Sequence, residues 1–338
     1  MPRGKNYKKP IVNSCQVPYY TVTVDAESNC ILCGCDGWLP IPVGKVQDFD
    51  SIDEVLNSPL AKELQQDIDD KKFTWCAVEH CGILHGNNLK NSYSLNINID
   101  NSCNLSCPSC RREIQMITSG SDYDRRIADT DRILTWLQKF EYPIEISLGG
   151  NGDALASYIF RNLIKNHKYK KSQKFIITTN GLLLKKVMPE SAIMPAIYHY
   201  SISIDAGSKL VYENVRRPGK WEVLIENLEW LANHKQSASV TLNFVLQNAN
   251  YKDLPAFVDL CQKYRFNGDI QALNDWGTWN SQPVLQPDAW TMANGTYLDH
   301  NVCNPAHINH QHFVETLNTV REQNNKFINF NNFFDQFQ

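Results

Sequence analysis

Cys103, Cys107 and Cys110 stand in a C-x3-C-x2-C array within residues 101–110. Three thiolates on so short a loop can hold three corners of a [4Fe–4S] cluster, since thiolates suit soft iron–sulfur centres. No fourth ligand lies beside them, so one iron keeps an open coordination position. Zinc is the competing reading, but a structural zinc site wants four ligands, commonly as paired C-x2-4-C units, and this array has no local partner pair. Six more cysteines lie upstream: Cys15, Cys30, Cys33, Cys35, Cys76 and Cys81. Nine of the chain's 11 cysteines therefore fall in its first third, a crowding that scattered core residues would not produce. Cys261 reads differently, at helical spacing from Leu254, Phe257 and Val258 on one apolar face, and is expected to pack as a small hydrophobe.

Composition narrows the setting. A chain of 338 residues has room for one large α/β domain and a smaller one. With 42% hydrophobic and 20% charged residues it is globular rather than disordered. A net charge of −3 argues against nucleic acid as the main partner. No apolar run approaches the ~18 residues of a membrane helix. The N-terminus is basic (Arg3, Lys5, Lys8, Lys9) with no apolar segment behind it, so no secretory signal is expected there and the arm is expected to be a solvated tail. The chain is expected to be cytoplasmic, where clustered cysteines bind metal or do redox work rather than form disulfides.

Residues 101–110 resemble the signature loop of the radical S-adenosylmethionine (radical SAM) superfamily. The resemblance implies that the amino and carboxylate groups of S-adenosylmethionine chelate the open iron. An electron from the reduced cluster then cleaves the sulfonium, and the 5′-deoxyadenosyl radical takes hydrogen from a substrate C–H. Such an enzyme implies an electron donor such as flavodoxin or ferredoxin, and a peptide or small-molecule substrate. One departure is Ser109, where the family often has an aromatic residue beside the adenine.

The elements that must position this loop follow a repeating pattern. Strands are expected at 94–99, 143–148, 174–179, 200–204, 240–246 and 269–273. The helices between them include one carrying Ile133, Leu137 and Phe140, with Thr130 or Asp131 near its start, one running to His167, one over 221–232 and one over 253–264. Alternation of strand and helix implies a parallel sheet, here a partial (βα)6 TIM-type barrel open on one side, with function at the strand C-termini.

Candidate residues fall at those strand ends. Gly152-Asp153-Ala154 resembles the family's Gly-Gly-Glu-Pro element, which implies that Gly152 and Asp153 approach the S-adenosylmethionine amino group. Asn180, in Thr178-Thr179-Asn180-Gly181, would lie near the ribose. Ser203 and Arg216 would hold the carboxylate, a role suited to the planar guanidinium fork. Arg217 is the weaker alternative to Arg216, and Asn243 and Asn248 are weaker candidates for adenine or ribose.

The upstream cysteines resemble a twitch module, the shortened relative of the SPASM domain, which holds an auxiliary iron–sulfur cluster. Cys-x-x-Pro-Tyr at 15–19, a turn at 25–29, the cysteine-rich stretch 31–35, a helical stretch over 51–70 and the pair Cys76 and Cys81 carry the resemblance. In most relatives the module follows the barrel; here it precedes it. Cys15, Cys33, Cys76 and Cys81 are the expected ligands, with Cys35 able to replace Cys33 and Cys30 a bystander. Zinc stays open at this site, since four thiolates also suit it. The division is then 1–90 for the module, 91–275 for the barrel and 276–338 for a C-terminal extension.

The extension brings Asn274, Asp275, Trp276 and Trp279 to the barrel mouth, against substrate or packed on the rim. Cys303, His307, His310 and His312 have the look of metal spacing, but the simpler reading is a polar loop entering a helix with Phe313, Leu317 and Val320 on its apolar face. Residues 324–338 dock on the barrel or fray. A non-catalytic iron–sulfur electron-transfer or cluster-carrier protein is the alternative to an enzyme. It accounts for the cysteines but not for Asp153, Asn180, Ser203 and Arg216 at successive strand ends.

Overall fold

One sheet runs through the computed structural model, which describes residues 15–34, 39–78, 81, 92–111, 113–274, 296–323, 325–330 and 332–337. In chain order the elements are α1 (Val17–Tyr20), β1 (Thr21–Val24), β2 (Asn29–Ile31), β3 (Pro42–Lys45), α2 (Ile52–Asn57), α3 (Pro59–Asp69), β4 (Tyr93–Ile97), α4 (Ser121–Lys139), β5 (Ile144–Leu148), α5 (Tyr158–Asn166) and β6 (Gln173–Thr179). Then come α6 (Leu184–Val187), β7 (Ile197–Ser203), α7 (Lys209–Val215), α8 (Trp221–His234), β8 (Ser239–Leu246), α9 (Leu254–Tyr264), β9 (Asn267–Ala272), α10 (Tyr297–His300), α11 (His310–Glu322) and β10 (Ile328–Phe330).

The strand order is β10-β9-β8-β7-β6-β5-β4-β1-β2-β3. Strands β4 to β9 are the six expected strands, each parallel to the next. Their inward residues alternate with less buried ones, as in Ile144, Ile146 and Leu148 of β5. The helices between them bury one stripe each, such as Leu224, Leu228 and Leu231 of α8. Cys261 is fully buried with Leu254, Phe257 and Val258, as its spacing predicts.

The sheet extends past both ends of the expected six. Residues 328–330 form β10, parallel to β9, so this part of the tail docks as a strand. At the other edge β1 pairs parallel with β4, Thr21 opposite Ser94 and Val24 opposite Ile97. β2 and β3 then add antiparallel. The N-terminal hairpin is thus part of the barrel sheet, and Val22 and Val24 share one core with Leu95 and Ile97. All four residues of β1 are buried, as befits a strand with neighbours on both edges.

Two helix boundaries differ from expectation. The stretch 51–70 is two helices, because Ser58 is extended (φ −60°, ψ 157°) ahead of Pro59. Proline lacks the N–H and pushes its predecessor out of the helical region, while Ser58 Oγ caps α3 by accepting from Ala61 N. Helix α4 begins at Ser121 rather than near Thr130, which sits inside it and returns its hydroxyl to Arg126 O at 2.7 Å. Among the described residues no helix is long and apolar enough to cross a membrane.

Candidate functional site

The cysteine loop leaves the C-terminal end of β4 through Asp100, which is fully buried. Asp100 Oδ1 accepts from Ser102 N at 3.0 Å and Ser102 Oγ at 2.9 Å, and Oδ2 accepts from Ser157 Oγ. Arg126 stands 3.7 Å from the same carboxylate and donates to Ile99 O at 2.6 Å. Cys103 N donates to Gln115 O at 2.7 Å and Ser106 N to Arg217 O at 2.6 Å. Cys107 O takes both Cys110 N and Arg111 N, which turns the loop so that the cysteines follow one another closely. Arg111 is buried; it donates to Asn101 O at 2.8 Å and to Asn151 O, and it hydrogen-bonds Cys110.

The neighbouring strand ends close on this loop. A Cβ at Gly152 would meet Asp100 O at 2.5 Å and Ser102 O at 2.7 Å, so only glycine allows the β5 turn to lie against the cysteine loop. Asp153 N donates to Ser102 O at 2.8 Å. The Asp153 carboxylate, however, is turned inward. Leu155 N and Ala156 N donate to Oδ1, at 2.9 and 2.8 Å, and Thr179 Oγ1 and Asn180 N to Oδ2, at 2.9 and 2.6 Å. Four donors fill its acceptor capacity, which makes Asp153 a brace between the ends of β5 and β6 and not a group facing an ammonium. Burial pushes its pKa up, against the pull of those hydrogen bonds.

Asn180 reaches the loop from the end of β6: its Nδ2 donates to Asn104 Oδ1 at 2.8 Å and stands 3.9 Å from Cys103 Sγ. Ser203 is the half-buried last residue of β7. Beyond it, Asp205 (φ +53°) accepts from Val245 N at 2.8 Å and pairs with Arg216 Nη2 at 2.6 Å. Arg216 Nη1 lies 3.8 Å from Cys107 Sγ. Arg216 thus meets a cysteine and an aspartate of its own chain. Burial pulls the guanidinium pKa down, but Asp205 and Cys107 more than offset it and hold the group charged. Asn243 donates to Ser201 Oγ at 2.8 Å, whereas Asn248 turns to the C-terminal segment, bonding His300 O and Asn309.

Burial raises the Cys103 thiol to about 12, with a smaller push from Asp153, and the Cys107 thiol to about 11. A bound metal reverses this, because a coordinating thiol is deprotonated outright. Tyr212 Oη, Arg216 Nε and Arg217 Nε are buried polar atoms that find no hydrogen-bond partner among the described residues. Buried donors rarely stay unmet, and Tyr212 senses the charges of both Cys107 and Arg216. Three thiols with surplus donors around them fit an anionic iron–sulfur group. Among the described residues no three His, Cys, Asp or Glu side chains converge as one metal ion would need. A multi-iron cluster makes no such demand, since it takes each thiolate on a separate iron.

The upstream cysteines lie elsewhere. Cys15 and Cys76 each feel Cys81, and Cys76 also feels Cys15; burial with these neighbours lifts Cys76 to about 11. Cys33 is buried, with its carbonyl accepting from Thr23 Oγ1 at 2.6 Å. Cys15 precedes α1 and β1, and Cys33 follows the antiparallel β2, so both lie toward the start of β1, beside the start of β4. The Cys103–Cys110 loop leaves the opposite end of β4, about 20 Å away at ~3.3 Å per residue. Cys30 is apart, buried beside Asp25, Asp48 and Asp129. Cys35, Asp275, Trp276, Trp279 and the basic N-terminal arm lie outside the described residues.

The tail histidines pin the chain. His307 Nε2 meets Asp299 O at 3.1 Å, His310 Nδ1 meets Val302 O at 3.0 Å, and His312 Nδ1 meets Tyr251 Oη at 2.9 Å. Cys303 is buried. Sequence reasoning missed Asp100, Arg111 and Arg126, and the pairing of Asp205 with Arg216. Their roles are long-range contacts, although Arg111 directly follows the last cysteine.

Residues 97–261 match the family model of the radical SAM superfamily. A probable GTP 3′,8-cyclase of Methanocaldococcus jannaschii is 25% identical over 169 residues, which is 50% of this chain and 55% of that protein. The Methanococcus maripaludis protein of the same description is 24% identical over 172 residues, with the same coverage of 50% and 55%. The chain spans about half the length of these relatives. Among solved structures, Streptococcus suis SuiB bound to precursor peptide SuiA aligns with a TM-score of 0.45 at 16% identity, covering 80% of this chain and 61% of SuiB. Residues 97–261, which hold the cysteine loop and the strand ends around it, are thus the part of the chain that is similar to the radical SAM superfamily.

Proposed function

We propose that the protein reductively cleaves S-adenosylmethionine at a [4Fe–4S] cluster and that the resulting 5′-deoxyadenosyl radical abstracts hydrogen from a C–H of a peptide or small metabolite. The observation that carries this reading is the position of Cys103, Cys107 and Cys110. They sit on one loop at the C-terminal end of β4, with Asn180 and Arg216 reaching their sulfurs from the β6 and β7 ends.

Each residue then has a task. The three cysteines bind the cluster. Gly152 lets the β5 turn close on the loop, and Asp153 locks that turn to Asn180. In this reading Gly152, Asn180 and Ser203 meet S-adenosylmethionine. Cys15, Cys33, Cys76 and Cys81 hold an auxiliary cluster at the other end of β1 and β4. At about 20 Å from the cysteine loop, that site is too remote for one substrate atom to touch both. Its role is therefore electron relay or a structural clamp on the hairpin.

Anaerobic reconstitution with iron and sulfide, followed by dithionite and S-adenosylmethionine, tests the proposal. 5′-Deoxyadenosine is the expected product. A protein that loads iron but yields none is an electron carrier, and the enzyme reading falls.

A further inference from the structure

Arg216 is held between a carboxylate and a cysteine sulfur of its own chain. Its guanidinium is 13% exposed and the partner Asp205 side chain 3% exposed. Asp205 cannot swing away, because Val245 N donates to Oδ1 at 2.8 Å and Asn250 Nδ2 to its backbone oxygen at 3.0 Å. One guanidinium nitrogen, Nη2, is thereby committed to Asp205 at 2.6 Å. Nη1 is turned to Cys107 Sγ at 3.8 Å. Two of the guanidinium nitrogens thus meet an aspartate and a sulfur of the chain itself, while Nε finds no partner among the described residues.

We propose that Arg216 is a positioning residue that sets the reduction potential of the catalytic cluster by donating from Nη1 to the Cys107 sulfur, with Asp205 orienting it and moderating its charge. The proposal rests on the cluster assignment above. Reduction adds negative charge to the cluster, and a cationic donor on a ligand sulfur stabilises the reduced form. Hydrogen bonds to sulfur and local net charge are the protein's levers on such potentials. Asp205 works the other way, since its carboxylate offsets part of the guanidinium charge.

Two substitutions should therefore shift the potential in opposite directions. Arg216→Gln removes the cation and lowers the potential. Asp205→Asn leaves the cation less compensated and raises it. A merely structural pair would disturb both variants in the same sense.

The test is an EPR-monitored redox titration of the reconstituted full chain without S-adenosylmethionine. Arg216→Gln is expected to lower the reduced-to-oxidised ratio at fixed potential about tenfold, a shift of about 59 mV for a one-electron couple. Asp205→Asn is expected to move it upward. If Arg216→Gln fails to take up iron, Arg216→Met, which also removes the cation and the donor, replaces it; a downward shift for the methionine variant with an upward one for Asp205→Asn supports the proposal. Unchanged potentials, or shifts of the same sign, overturn it, and unchanged potentials with weakened S-adenosylmethionine binding return Arg216 to the carboxylate. A wild-type chain without a [4Fe–4S] signal overturns the cluster assignment itself, and this proposal with it.

Discussion

Thr21 lies directly opposite Ser94 in the parallel pairing of β1 with β4, and the two hydroxyls meet at 2.9 Å. This register puts the N-terminal hairpin into the barrel sheet. It also orients the hairpin, with Cys15 ahead of β1 and the Cys103 loop beyond the far end of β4. Two cysteine groups that crowd one third of the chain are thus separated by the length of a strand.

That separation predicts independent loading. Cys107→Ala should abolish 5′-deoxyadenosine formation and lose the catalytic cluster, about half of some eight irons if both sites are [4Fe–4S]. Cys76→Ala should remove the other half and leave the Cys103 loop spectroscopically intact. Iron and sulfide counts with EPR on each variant decide it. Loss of both clusters from either single change would refute two sites.

What the chain reveals locally and what it hides follows from the range of each interaction. The six barrel strands were legible from a two-residue period, and the cysteine loop from spacing alone. The start of α4 was hidden because Ser121 to Thr130 is mostly polar, and its buried Arg126 and Asp129 are matched by charged and hydroxyl partners rather than apolar ones. The pairing of β1 with β4 leaves no local mark, since a strand's pattern does not name its neighbour. The same holds for Asp205: nothing near it in the chain announces Arg216, whose approach depends on α7 folding back over the sheet. The Ser58–Pro59 break was readable, because a proline there halts a helix whatever the surroundings.

Gly152 supplies a sharper test of how the loop is seated. Gly152→Ala would drive a Cβ to 2.5 Å from Asp100 O and 2.7 Å from Ser102 O, and backbone cannot rotate aside as a side chain can. Overpacking of this kind costs about 1–3 kcal/mol. The expected result is a lower urea midpoint together with poor cluster uptake. Gly34→Ala, where a Cβ meets open space, should change stability by less than about 0.5 kcal/mol. Equal effects from the two variants would refute the close approach.

Asp153 is predicted to matter for stability more than for cofactor affinity. Asp153→Asn replaces one acceptor oxygen by an NH2 group, which must then face two donors, either Leu155 N and Ala156 N or Thr179 Oγ1 and Asn180 N. Each buried donor left unmet costs about 1–3 kcal/mol, so a loss of about 2–6 kcal/mol is expected in urea unfolding. A variant of wild-type stability with weakened S-adenosylmethionine binding would instead place the carboxylate at the cofactor.

The pH dependence of folding should carry the mark of His167. Burial pulls its pKa below the ordinary value, only partly countered by the hydrogen bond of Nε2 with Gln173 Oε1 at 2.9 Å. The folded protein therefore keeps His167 neutral at pH values where the unfolded chain, with a pKa of about 6.5, takes up a proton. The unfolded state binds more protons there, so stability rises with pH through this window and is lost as pH falls below about 6.5 toward the depressed folded value. His199, also lowered by burial, acts with the same sign. One histidine contributes a slope of at most about 1.4 kcal/mol per pH unit. Urea midpoints of wild type and His167→Gln between pH 7.5 and 5.5 should show a shallower decline in the variant. Parallel curves would mean that His167 titrates alike in the folded and unfolded chains.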